Sequence, residues 1–270
     1  MEAFAPGSVT AIFAPADSGD ESKGASLAIE DGVIADVTPA DETGLAASAD
    51  APVVTVDGEP TAFEPVEIAL ETLGVAQRAR ADLTAEIPIG RGFGASGAAT
   101  LTTALAADAE FGLDYSRDEL VGVAHRAEVA AGTGLGDVFV QDLGGLVVGD
   151  GTQRRRFAKT TPVEYDSFGP IPTEEALADE GLMARIERAG TAALESLPDD
   201  PALAELTDAA WAFAEATELP TPQVRAAVAD VRTAGGAASM AMVGETVFAV
   251  GVENALPNRT AVCPEGARLR

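Results

Sequence analysis

"GRGFGASGAA", residues 90–99, is the stretch on which the reading of this chain turns. Gly92-Phe93-Gly94-Ala95-Ser96-Gly97 satisfies G-x-G-x-x-G, the glycine pattern of dinucleotide-binding folds. Such a loop could hold the pyrophosphate of NAD, the triphosphate of ATP, or no ligand, and its surroundings decide. The dinucleotide reading needs a strand before the loop, a helix after it, and an acid about twenty residues on at the end of the next strand. "RADLTAEIPIG" alternates apolar and polar residues and enters as a strand; "ASGAATLTTALAADAEFG" leaves as a helix of small residues ending near Gly112. The acid is missing, because Asp114, Asp118 and Glu119 fall between two helices. The loop also follows a long β-rich stretch instead of opening a βαβ unit. A Walker A loop is absent, since no G-x-x-x-x-G-K-[ST] occurs.

What fits is an anion hole built without lysine. Glycines let successive backbone N–H groups converge on an anion, and the following helix N-terminus adds roughly half a positive charge. Ser96, in the first turn, is placed to donate its hydroxyl to a phosphate or to ligate Mg²⁺. The plainer alternative is a glycine-rich turn that Ser96 merely caps.

Composition narrows the field. With 270 residues, 47% of them hydrophobic, the chain can bury one large core or two modest ones, and two lobes are expected. No run of eighteen apolar residues occurs, and "MEAFAPGSVTAIFAPADSGDESKG" lacks a basic region followed by an apolar one. A cytoplasmic protein is expected. The single cysteine, Cys263, excludes an internal disulfide and a cysteine-rich metal site, and reads as an inert thiol. Asp and Glu number 44 against 17 Lys and Arg, a net charge of -27, and Lys23 and Lys159 are the only lysines. The acids are dispersed, in "PADSGDES", "TPADETG" and "SLPDDPALAEL", so they describe a solvated surface and not a binding patch. Such a surface suits molar salt, where the Debye length is about 3 Å and self-repulsion is screened. It makes nucleic acid and anionic membranes poor partners.

Along the chain, "GASLAIEDGVIADVTP" reads as a hairpin about Asp31-Gly32, and "PVVTVDG" as a short strand. "AFEPVEIALETLG" reads as a helix stopping at Gly74. "SRDELVGVAHRAEVAAG" reads as another, with Ser116 and Glu119 at capping-box spacing. "GGLVVGDG" returns as a strand, and "TTPVEYDSFGPIPTEE", with three prolines, looks like a crossing between lobes. Helices follow around 173–195, 201–216 and 222–233, then two strands about Gly244-Glu245. Strands and helices mix without strict alternation, so the class is α+β.

Two further stretches carry chemistry. "AHRAEVAAGTGLGDVFVQ" sets His125 and Glu128 at i and i+3 on one helix face, then delivers Asp137 through a glycine-rich turn. "RTAGGAASMAMVG" is a third turn of small residues. Each has a bland reading: a solvent-facing Glu128, an Asp137 that caps a turn, a satisfied histidine.

Together these motifs resemble a family. "PIGRGFGASGAA" resembles the second motif of the GHMP small-molecule kinases, roughly P-x-x-x-G-L-G-S-S-A-A; "AFAPGSVTAIF" is similar to the first motif and "TAGGAASM" to a worn third. Within that family, "FAPGSVTAIF", "ESKGAS", "HRAEVAAGTGLGDV" and "GGLVV" most resemble the archaeal pantoate kinases. The resemblance implies a two-lobed fold with nucleotide between the lobes, the N-terminal lobe spanning 1–162 and the C-terminal lobe 163–270. It implies ATP and Mg²⁺ as cofactors, pantoate as the small-molecule acceptor, and a homodimer. The implied ATP-binding residues are Pro88, Gly90, Gly92, Phe93, Gly94, Ala95, Ser96, Gly97, Gly235 and Gly236. Ser96 and Glu128 match the metal positions, and Asp137, with Glu128 and Ser96, the catalytic ones. Ser22, His125, Arg155 and Thr173 are implied for the acceptor; Thr173 is as readily an N-cap, and Ser22 an ordinary turn serine. Relatives tend to carry an arginine directly after the "GGLVV" strand; here that place is Gly149, with Arg154, Arg155 and Arg156 slightly later. The chain also departs in Ala95-Ser96, where paired serines are usual, in Phe93 for leucine, and in Ala237 and Ala238, where glycines are common. The competing readings are a kinase for another hydroxy acid or alcohol such as homoserine or mevalonate, a non-catalytic nucleotide-binding regulator, and an NAD-binding protein.

Overall fold

The computed structural model describes residues 1–16, 22–40, 53–134, 136–171, 176 and 178–270. Its spine is a long antiparallel ribbon, β1 (Glu2–Pro15) against β2 (Ser22–Pro39). Nearly every residue of β1 from Ala3 to Ala14 is buried, so both faces are covered and the sequence shows an apolar run where an alternation would otherwise appear. The hairpin expected at Asp31-Gly32 is not formed. Instead β2 runs straight through, and the register steps between Pro6↔Gly32 and Gly7↔Ile29, leaving Glu30 and Asp31 as a bulge. Gly32 is required by close approach: a Cβ there would stand 2.0 Å from the Ala5 carbonyl oxygen. An Asp-Gly pair between β-rich runs signals a bulge as readily as a turn.

The first sheet continues from β2 to β5 (Ala79–Ala85), then to β3 (Val53–Val56) and the short edge β4 (Glu59–Pro60). The β3–β5 pair is parallel. β6 (Leu146–Gly149) pairs with the Gly24–Leu27 end of β2, β7 (Arg154–Phe157) pairs with β6, and β12 (Arg268–Leu269) pairs with β1. A second, antiparallel sheet has the order β11 (Asn258–Ala261), β8 (Pro162–Pro170), β10 (Gly244–Val250), β9 (Ala237–Ala241). The segment expected to cross between lobes is therefore largely an interior strand. Pro162 and Pro170 occupy its two ends, where a missing N–H disturbs the ladder least. The turn into β10 falls at Met242-Val243, slightly before the expected Gly244-Glu245.

Seven helices among the described residues pack on these sheets: α1 (Glu64–Thr72), α2 (Ala95–Phe111), α3 (Arg117–Ala130), α4 (Asp137–Leu143), α5 (Glu180–Ser196), α6 (Leu203–Thr217) and α7 (Pro222–Thr233). In α2, Ala95 and all of residues 97–107 are buried, as for a helix that is apolar all round. Its small side chains let it lie against β1, β2, α1 and α3 together. Ser116 caps α3 through the expected capping box with Glu119. Because α3 follows α2 directly, the glycine loop opens no βαβ unit, against the dinucleotide reading.

β1 also joins the two sheets. The Met242 N–H donates to the Thr10 carbonyl at 2.8 Å, and Phe13 meets Phe213 of α6 edge-on. Glu164 of β8 is 3% exposed, and its carboxylate accepts the backbone N–H groups of Asn254, Ala255 and Leu256. Those bonds fix the turn between β10 and β11 and hold the Glu164 carboxyl below its ordinary value against the opposing effect of desolvation.

Candidate active site

The glycine loop bridges β5 and α2, and the second sheet clamps it. Phe93 is buried against the Tyr165 ring, with centroids 4.8 Å apart. The Thr246 hydroxyl donates to the Arg91 carbonyl at 2.7 Å, and the Phe93 carbonyl accepts the Ser8 N–H at 2.8 Å. Gly90, Gly92 and Gly94 all have positive φ. At Gly94 the need is also steric: a Cβ would stand 2.1 Å from Ser8 Oγ and 2.8 Å from Gln141 Nε2. Gln141 in turn donates to the Gly94 carbonyl at 2.7 Å, tying the loop to α4.

Asp137 is the first residue of α4. Ser8 and Thr10, two apart and so on one face of β1, both donate to its Oδ1, at 2.7 and 3.3 Å. Ser26, cross-strand partner of Thr10, donates onward to Thr10 Oγ1 at 3.0 Å. With Oδ1 engaged, Oδ2 is left toward the glycine turn, 3.8 Å from where a Gly134 Cβ would stand. That same point lies 3.1 Å from Glu128 Oε2, so the missing side chain of Gly134 opens a gap between two carboxylates.

Glu128 is 3% exposed. Ser96 and Thr100 donate to its Oε1, each at 2.8 Å, and Thr133 to its Oε2 at 2.9 Å. Burial pushes the carboxyls of Glu128 and Asp137 above their ordinary values, against the hydroxyls that donate to them. A cation would relieve that desolvation. The donor set, one carboxylate and a hydroxyl beside a phosphate loop, is the all-oxygen kind that suits Mg²⁺, which keeps waters and substrate phosphates as its other ligands. No cluster of three or more His, Cys, Asp or Glu able to cage a metal occurs among the described residues.

Asp137, Ser96 and Thr133 line one open cleft of about 1160 Å³, counting space open to solvent, and Glu128 is buried behind Ser96 and Thr133. One half is the loop, Ser96, Thr133 and Gly134; the other holds Thr10, Ser22, Ser26 and Arg154 among the apolar Ile12, Phe13 and Phe139. Asp137 touches both halves, accepting from Thr10 on one side and lying 3.3 Å from a Cβ position on Gly94 on the other. Ser22 Oγ stands 3.2 Å from a Cβ position on Gly136, which lies 3.9 Å from the Phe139 ring. His125 stands against that ring, 4.8 Å between centroids, behind the cleft lining. The structure thus gathers Ser22 and His125 about Phe139, a residue the sequence did not single out. Gly90, Gly92, Phe93, Gly94, Ala95, Ser96 and Gly97 line the cleft, while Pro88 lies just upstream of the lining. Gly235 and Gly236 sit in the α7–β9 turn, Gly236 beside Val231 and Val252, at the end of β9 away from the cleft-lining Met242. Arg155 faces Asp199, outside the lining. Thr173 lies outside the described residues.

A glycine loop opening a buried helix, a hydroxyl–carboxylate pair beside it and a second carboxylate facing the gap define a small-molecule phosphotransferase type of site. Residues 62–145 match the N-terminal domain of the GHMP kinases. A pantoate kinase of Thermococcus kodakarensis is 31% identical over 93% of this chain and 87% of its own length. One of Methanospirillum hungatei is 29% identical over the same shares. The chain belongs to the GHMP kinase family. Among solved structures, a phosphotransferase related to the coenzyme A biosynthesis pathway superposes with a TM-score of 0.84, at 24% identity, covering 100% of this chain and 98% of that one; this likeness speaks for the fold. No helix among the described residues is long and apolar enough to cross a membrane.

Proposed function

We propose that the protein is an ATP-dependent pantoate kinase, forming 4-phosphopantoate and ADP. The observation that carries the reading is Asp137, held by Ser8 and Thr10 at the junction of a phosphate-loop half and a hydroxyl-lined half of one cleft. Phosphoryl transfer asks the protein for positioning and charge neutralisation more than for covalent chemistry. The loop N–H groups and the start of α2 bind the triphosphate, with Phe93 and Thr246 keeping the loop in place. Ser96 and Glu128 would hold Mg²⁺, which when bound offsets the charge of the phosphate oxygens. Asp137 orients the acceptor hydroxyl and takes its proton as the phosphoryl group is transferred. Ser22 offers a hydroxyl to a hydroxy acid, Ser26 and Thr10, whose protons go to Thr10 and Asp137, offer acceptor oxygens, and Ile12, Phe13 and Phe139 give an apolar wall for its methyl groups. The pantoate kinase relatives match over nearly the whole chain, which favours pantoate over homoserine or mevalonate. Retention of Ser96 and Asp137 in one cleft, with Glu128 hydrogen-bonded to Ser96, argues against a non-catalytic regulator. The same reading is of a cytoplasmic archaeal enzyme, and the dispersed net charge of -27 suits a salt-rich interior.

The test is ADP release by the purified protein in molar KCl with Mg·ATP, offering pantoate, pantothenate, homoserine and mevalonate separately. Turnover with pantoate alone is expected. Turnover with another acceptor would keep the phosphate loop and overturn the substrate, and tight ATP binding with no turnover would favour the regulator.

A further inference from the structure

Gln141 of α4 is wholly buried. Its Nε2 donates to the Gly94 carbonyl at 2.7 Å, but its Oε1 has no partner among the described residues. A buried amide oxygen left unpaired costs about 1–3 kcal/mol, so an apolar side chain of the same length would suit the position at least as well for stability. The Gly94 carbonyl does not depend on the amide either, because it already accepts the Ala98 N–H at 3.0 Å in the first turn of α2. What the amide does is fix a distance. Asp137 and Gln141 stand at i and i+4, on one face of α4, and both press on the glycine loop. A Cβ on Gly94 would meet Gln141 Nε2 at 2.8 Å and the Asp137 carboxyl carbon at 3.3 Å. A Cβ on Gly97 would meet Gln141 Oε1 at 2.8 Å and Asp137 Cβ at 3.4 Å. Two glycines of the pattern therefore seat the helix that carries the base, besides serving the phosphates.

We propose that Gln141 is a positioning residue, which holds Asp137 at its working distance from the phosphate loop. The inference rests on the kinase reading above and deepens it. α4 is braced at its other end: the Gln141 carbonyl accepts the Ala267 N–H at 2.8 Å, Arg117 pairs with Asp142 at 2.5 Å, and Arg156 donates to the Leu143 carbonyl at 2.7 Å. Those contacts secure the helix to α3, to β7 and to the chain after β11, on the side away from the nucleotide. Ser8 and Thr10 hold the Asp137 carboxylate to β1, and Gln141 holds the same helix to the loop. Its anchor is well chosen, because Gly94 is the N-cap from which α2 and its N–H groups start. In phosphoryl transfer the reacting atoms must come to about 3–3.5 Å, and a misplacement of ~1 Å costs on the order of a hundredfold in rate. Stability is given up at Gln141 for alignment.

The experiment uses Gln141→Met, which keeps the length of the side chain and removes the bond. With pantoate, kcat is expected to fall about 30-fold, while KM for pantoate and the Kd of Mg·ATP stay within a few-fold of wild type. The denaturation midpoint should be equal or higher, since the unpaired oxygen is gone. Because the residue acts through the base, adding Gln141→Met to Asp137→Asn should cost no more than about threefold in single turnovers. An unchanged kcat would overturn the proposal. Weaker binding of Mg·ATP in step with the rate would give the amide to the nucleotide loop, and a full loss on top of Asp137→Asn would make its role general packing; either result overturns it. Should Gln141→Met not fold, Gly97→Ala decides, since its methyl would crowd Gln141 Oε1 within a helix, where alanine is preferred to glycine. A similar loss of kcat with Mg·ATP binding retained supports the proposal, and a wild-type rate overturns it. Turnover by the wild type tests the kinase reading separately. If it phosphorylates another acceptor, the same ratios are read with that acceptor and decide Gln141; if it phosphorylates none, both fall.

Discussion

Replacing Asp137 by asparagine is expected to lower kcat about a thousandfold while leaving Mg·ATP affinity within a few-fold of wild type. Asparagine keeps the shape and an oxygen that can accept from Ser8 and Thr10, so α4 and the glycine loop should hold their places. What it removes is the second carboxylate oxygen, facing the gap toward Glu128, and with it the capacity to take a proton. The nucleotide should be indifferent, because its main contacts are backbone N–H groups of a loop anchored through Phe93, Thr246 and Gln141. Steady-state rates with pantoate, beside equilibrium binding of Mg·ATP, separate the two effects. An unchanged kcat would remove Asp137 from the mechanism, and a parallel loss of nucleotide affinity would make its role structural.

The second large effect is expected on the fold and not on the chemistry. Glu164→Ala should destabilise the fold by about 3 kcal/mol, read as a lower denaturation midpoint with an unchanged slope. The substitution leaves three backbone N–H groups of the β10–β11 turn without their shared acceptor. Since the folded pKa lies below the ordinary 4.5, this contribution is fully present above about that pH and is lost as pH falls through the folded pKa. The gap between wild type and variant should therefore close on acidification below that range. A gap that persists at low pH would mean the cost is lost packing and not lost charge.

How far the sequence reveals this molecule depends on what each feature needs. The helix of small residues after the loop, its stop at Gly112 and the capping box at Ser116 are local, and all were legible. Ser96, Glu128 and Asp137 could each be named from a glycine-rich turn nearby, and the structure brings Ser96 and Glu128 within 2.8 Å of one another. The bulge at Glu30-Asp31 was not legible, since the same residues read as a turn until the partner strand is known. Ser8 and Thr10 meet Asp137 across more than a hundred residues, and no local pattern in "PGSVT" announces hydroxyls aimed at a carboxylate. For the arginines the obstacle was phase. Three identical residues in a strand give no clue which one faces the cleft, and resemblance pointed to Arg155 where the ladder turns Arg154 inward. Gly235 and Gly236 were correctly set in a helix–strand turn, but sequence cannot say which end of β9 meets the loop.

One consequence of a phosphate loop without lysine, in a cleft lined by a single arginine among the described residues, concerns encounter and not chemistry. Both reactants are anions approaching a strongly negative body, so long-range forces oppose diffusion into the cleft. Added salt shortens the Debye length from about 10 Å at 0.1 M to about 3 Å at 1 M, which removes that barrier and leaves the short-range contacts of the site in place. Association rate constants measured by stopped flow should climb with ionic strength, the reverse of the slope seen where opposite charges steer a ligand home. The protein would capture its partners fastest in brine.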